Sequence, residues 1–181
     1  MHIKFMPESF LPARVDRLGR LLVPHLFLVV LMLVGLISYP LPYVGPVKPF
    51  FVLMPVYYWA IYRPTLMPSS YCFVIGLVVD LLAGTALGLH SFILVAVQWL
   101  ARDQRRFLMG QTYIVIWLVY ALVVFFAAAS EWALVGLMYR AWSSPVPGAF
   151  SALFNIFLFP FVSLLLSATH RMLPVSSKTY P

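Results

Sequence analysis

The sequence predicts an all-α, polytopic membrane protein: a six-helix transmembrane bundle with short or broken helices. Three observations carry this prediction. Hydrophobic residues fill 63% of the 181 positions and charged residues only 9%, against about 45–50% and about 25% in soluble domains. Mean hydropathy is +0.96, more apolar surface than a soluble domain of this size can hide. The apolar residues also fall in long runs separated by Pro, Gly and basic clusters. These figures exclude a disordered chain, a nucleic-acid-binding protein and most soluble enzymes.

Residues 1–20 form a basic N-terminal segment with Lys4, Arg14, Arg17 and Arg20. Ser9 is suited to cap a helix. Leu11, Val15, Leu18 and Leu22 share one helical face, so this is either an interfacial amphipathic helix or an ordinary basic N-terminus. The transmembrane domain is expected over 21–172. Its first span, 21–39, follows a basic segment but no A-x-A-like site follows it, so an uncleaved helix is expected. Pro40, Pro42, Gly45 and Pro46 predict a rigid turn. The run 49–62 is short and aromatic, roughly 21 Å as a helix, with Pro55 expected to kink it.

Residues 71–101 are too long for one span. Gly84, Gly88 and the segment between them predict a break into two short helices. A charged loop is expected at 102–106. Residues 112–139 predict the longest helix, which must tilt or project. Pro145, Pro147 and Gly148 are expected to break the chain before a last span at 149–170, with Pro160 in its middle. A polar cytoplasmic tail follows at 173–181.

Six spans put both termini on one side. With the termini in the cytoplasm, ten Lys and Arg lie inside and two, Lys48 and Arg140, outside. That bias predicts the orientation, and it gives the net charge of +7 a plain meaning. Cys72, the single cysteine, permits no internal disulfide and reads as a buried small hydrophobe.

Two acids fall inside spans, Asp80 and Glu131, both toward the outer half. Intramembrane acids face a bundle interior or a cavity. They predict either a proton or substrate site, or acids that fix helix packing or bind a partner; for Glu131 an interfacial, snorkelling position competes. Gly76, Asp80, Gly84 and Gly88 are spaced by four and would share a small-residue face on an unbroken helix. The histidines (His2, His25, His90, His170) lack metal-ligand spacing, and His25 and His90 are suited to hydrogen bonding within the bundle. No nucleophile motif, phosphate loop or dinucleotide fingerprint is present. No enzyme, cofactor or metal is therefore expected. Trp99, Trp117, Trp132 and Trp142 fit an aromatic belt.

Residues 73–100, FVIGLVVDLLAGTALGLHSFILVAVQWL, resemble the core motif of the rod shape-determining protein MreD family, with Gly76, Asp80, Gly84, Leu87 and Gly88 at the matching positions. Pro49, Tyr58 and Trp59 fit the preceding helix, Glu131 and Trp132 an acidic-aromatic step, and Asn155 and Pro160 the last helix. The resemblance spans roughly residues 45–172; the basic N-terminus and the Pro-rich 140–148 loop fall outside its motif. It implies a non-catalytic scaffold of the bacterial cell-elongation machinery in the inner membrane. The implied partners are MreC, MreB filaments, RodA, a class B penicillin-binding protein and membrane lipid, with self-association allowed. Gly76, Asp80, Gly84, Gly88, Glu131, Asn155 and Pro160 would be structural or partner-binding.

The resemblance further implies a fold like the substrate-binding component of energy-coupling-factor transporters. That makes a transporter subunit the alternative, although 21–39 has Gly35 and no Ala-x-x-x-Ala docking pair. An intramembrane enzyme using Asp80 and Glu131 has the least support.

Overall fold

The structure, a computed structural model, describes residues 10–41 and 43–172. Its elements in chain order are α1 (Phe10–Gly35), β1 (Tyr39–Leu41), β2 (Gly45–Val47), α2 (Leu53–Tyr62), α3 (Ser69–Ala83), α4 (Leu89–Asp103), α5 (Arg105–Leu108), α6 (Tyr113–Tyr139) and α7 (Val146–Met172). The Ser9 cap and the tail at 173–181 lie outside the described residues.

The sequence Leu53–Tyr62 has no polar face, and a helix that is apolar all round must be enclosed. Every residue of α2 from Leu53 to Ile61 is buried, with α1, α4, α5 and α7 packed around it. At ten residues it is only about 15 Å long, so it is a central strut. Pro55 lies in its first turn, where a proline's missing N–H is not needed. The expected kink at Pro55 is therefore corrected. At the other end Arg105 Nε donates to Ile61 O at 2.6 Å, satisfying a last-turn carbonyl with a cation.

The break in 71–101 is present. α3 ends at Gly84 (φ 67°) and α4 starts after Gly88 (φ 95°), two left-handed positions that glycine adopts without strain. α3 and α4 then pack side by side. At Gly76 a Cβ would lie 2.3 Å from Ser91 Cα, so the backbones touch there. Gly84 and Gly88 have open space instead. The four-residue glycine spacing is thus one packing glycine and two turn glycines, and with the helix broken the shared face of an unbroken helix does not form.

Other boundaries also move. α1 runs unbroken from Phe10 to Gly35 with Pro24 inside it, so the expected boundary at 20/21 falls within a helix, and the helix stops short of Tyr39. The Pro-rich turn is an antiparallel hairpin pairing Tyr39 with Val47 and Leu41 with Gly45. The 102–106 segment is the end of α4 and the start of α5. α7 begins at Val146, because Pro147 and Gly148 fit its first turn, where Ala149 N already donates to Pro145 O at 3.0 Å. α6 and α7 are equal, at 27 residues each, so 112–139 is not uniquely the longest.

α6 and α7 are both long and apolar enough to cross a membrane. Their outer faces expose Leu118, Leu122, Phe126, Phe157, Phe161 and Leu164, a surface suited to lipid rather than water. Their inner faces join through Tyr120 and Phe159, stacked at 3.9 Å. Tyr57 of α2 packs against both rings and donates to Ile116 O at 3.2 Å. Pro160 leaves the carbonyl of Ile156, four residues earlier, without its helical N–H. Trp117 Nε1 supplies that bond at 3.0 Å, which is how α7 carries a mid-helix proline while docked on α6.

Candidate functional site

A short turn between two helices leaves orphan N–H groups at the start of the second helix. Here Asp80, in the last turn of α3, reaches across the turn to meet them. Its Oδ2 accepts from Gly88 N at 2.8 Å. Its Oδ1 accepts from His90 N at 3.1 Å, from His90 Nδ1 at 2.7 Å and from Thr85 Oγ1 at 3.0 Å. All four partners face a fully buried side chain. An acceptor-only carboxylate matches that donor set, and the two turn glycines let the backbone bring Gly88 N and His90 N to one carboxyl group.

His90 extends the network. Its Nδ1 faces Asp80, and its Nε2 lies 3.8 Å from Glu131 Oε1 on α6. Phe50 covers the ring edge-on at 4.8 Å between centroids. The two acids therefore sit on opposite nitrogens of one imidazole and cannot converge on a single ion. Glu131 differs from Asp80: its side chain is 41% exposed, and 3.8 Å is beyond hydrogen-bond range. Its carboxylate is held only by this longer approach to His90 and has one side open to solvent.

A cavity of about 460 Å³ opens beside Glu131. Its walls come from the chain after the hairpin (Lys48, Phe50), the far part of α6 (Val124, Glu131) and the first turns of α7 (Ser151, Asn155). The 140–145 connection closes one side. Trp142 lies on Gly136, where a Cβ would come within 2.6 Å of its ring. Trp132 Nε1 donates to Ser143 O at 2.8 Å. Ser151 Oγ donates to Lys48 O at 3.0 Å, tying α7 to the hairpin.

At the opposite end a second buried polar side chain fastens a connection. Gln98 Nε2 donates to Met67 O at 3.1 Å, and its Oε1 accepts from Ser69 Oγ at 2.8 Å. Arg102, Arg105 and Arg106 surround a further cavity there, of about 600 Å³.

The structure thus brings Gly76, Asp80, Gly84 and Gly88 into the α3–α4 unit, with Glu131 linked through His90. Asn155 shares the Glu131 cavity but not the Asp80 network. Pro160 lies deeper in α7, away from both, where its carbonyl accepts from Ser163 Oγ at 2.9 Å. His90 and Lys48 are the residues that sequence reasoning did not select as site residues. An acid and a histidine flanking a turn with two glycines was the available signal for His90; Lys48 carried none beyond its charge.

A family model described as rod shape-determining protein MreD matches residues 15–169. No curated protein and no solved structure matches the chain.

Proposed function

The chain belongs to the MreD family of rod shape-determining proteins, and from that premise we propose that it is a non-catalytic scaffold of the cell-elongation machinery. It binds MreC and, through it, links MreB filaments to peptidoglycan synthesis by RodA and a class B penicillin-binding protein. It spans the bacterial inner membrane six times, the short α2 completing its crossing with the extended residues on either side of it, with both termini cytoplasmic and the hairpin, the 84–88 turn and the 140–145 connection outside. In architecture it is then a bundle like the substrate-binding component of energy-coupling-factor transporters.

The observation that carries this reading is the family match over 15–169. The geometry supports it. Asp80, Gln98 and Trp117 all spend their polar atoms on holding one helix or connection to another, which makes a rigid body for a partner's transmembrane helix to pack against. Asp80 is fully buried, so it shapes the interior and acts on partner binding only through the fold.

The test is crosslinking in the native host, mild-detergent capture of the tagged protein and mass spectrometry. Enrichment of MreC with RodA and a penicillin-binding protein is expected. Enrichment of an ATPase pair with a coupling subunit would replace this reading with the transporter one.

A further inference from the structure

Asn155 lines the cavity beside Glu131 and carries a polar atom that the described fold does not use. Asn155 is 1% exposed. Its Nδ2 donates to Ser151 O at 2.9 Å, while its Oδ1 has no hydrogen-bond partner among the described residues. A buried acceptor left unmade is costly and asks for a donor. Glu131 adds a second acceptor group on the same cavity. A ligand that satisfies both presents N–H groups and positive charge. Lys48, exposed on the same wall, would repel a simple cation but pairs with a ligand that also carries an anion.

Most of the remaining lining is apolar, with Phe50, Leu53, Val124, Ala127 and Ala152, and Ser143, Ser144 and Ser151 add hydroxyls on the side of the 140–145 connection and α7. It lies beside the lipid-suited faces of α6 and α7. Trp132 lines the cavity and packs on Trp142 at 4.8 Å between ring centroids, an aromatic pair of the kind found at a membrane interface. The volume of about 460 Å³ is within the roughly 300–1,000 Å³ of small-molecule pockets.

We propose that this cavity binds the headgroup of a zwitterionic phospholipid bearing a primary ammonium. The ammonium donates to Glu131 and to Asn155 Oδ1, and the phosphate pairs with Lys48. A partner protein's lone basic side chain fits less well, because it leaves Lys48 opposed by like charge.

The experiment is native mass spectrometry of the delipidated full chain titrated with dioleoyl phosphatidylethanolamine, phosphatidylcholine or phosphatidylglycerol. The choline lipid keeps the zwitterion but has no N–H, and the glycerol lipid has no ammonium. Phosphatidylethanolamine is expected to bind about tenfold more tightly than either, the scale of one charged hydrogen bond. Glu131→Gln should abolish that preference, and Lys48→Gln, at the exposed rim, should weaken phosphatidylethanolamine binding without altering the melting temperature. Equal binding of the ethanolamine and choline lipids, or wild-type selectivity in both variants, would overturn the proposal. So would photocrosslinking from Val135, on the cavity wall, that captures a protein and no lipid. No partner protein enters the titration, so its result is independent of the scaffold reading.

Discussion

Replacing Asp80 by alanine removes one acceptor group that four donors share. Gly88 N, His90 N and His90 Nδ1 lose their partner inside a buried turn, with Thr85 Oγ1 beside them. Each buried donor left unmade costs about 1–3 kcal/mol. Thr85 can rotate to another acceptor, and some relaxation will recover part of the rest, so the expected loss is about 3–6 kcal/mol. In a chain of this size that lowers the melting temperature by about 10–20 °C. Asp80→Asn keeps the shape and one acceptor oxygen. With that oxygen at the Oδ1 position, only Gly88 N meets an amide donor instead of an acceptor, so a loss of about 1.5–3 kcal/mol is expected. The assay is thermal unfolding in one detergent, followed by circular dichroism and by size-exclusion recovery. The order wild type, Asn, Ala is the result expected. A melting temperature for Asp80→Ala within about 2 °C of wild type, less than about 1 kcal/mol, would refute the view that Asp80 holds the α3–α4 turn together.

Gly76→Ala should destabilise by about 1–3 kcal/mol, because the added Cβ meets Ser91 backbone and α3 must move off α4. Gly84→Ala meets open space but a φ of 67°, a cost of about 1–2 kcal/mol that Gly84→Asn should largely avoid; equal melting of the Ala and Asn variants would argue against a backbone cause. Trp117→Phe strands Ile156 O beside Pro160 and should lower stability by about 1–3 kcal/mol, while the same change combined with Pro160→Ala should cost less than the two singles added together. Gly136→Val should displace Trp142 and open the 140–145 connection to limited proteolysis, with unchanged cleavage as the contrary result.

Composition and spacing made the class of this molecule legible. Sixty-three per cent apolar residues leave few architectures besides helices in lipid, since backbone polar groups must be satisfied within each segment. Local chemistry placed the Gly84–Gly88 break, because a run too long for one span must turn and glycine is where a chain turns cheaply. Asp80 and Glu131 stood out because acids are costly in apolar runs. Proline was the poorer guide. By itself Pro55 suggests a kink and Pro147 a break, yet both occupy first helical turns, and Pro160 is carried by Trp117 from another helix. Whether a proline breaks a helix depends on where the helix starts and on who supplies the lost bond.

The tertiary structure alone decided what each selected residue does. Gly76 packs while Gly84 and Gly88 turn, although their spacing is uniform. Asp80 is consumed by four donors while Glu131 is partly exposed beside a cavity, although both are acids in apolar helices. His90 bridges these two acids, which lie 51 residues apart in the sequence, and Lys48, Glu131 and Asn155 meet around one cavity. Those outcomes follow from which donors and which backbone come within hydrogen-bond or van der Waals distance once the helices pack, and distances between elements far apart in the chain are not encoded in any local pattern.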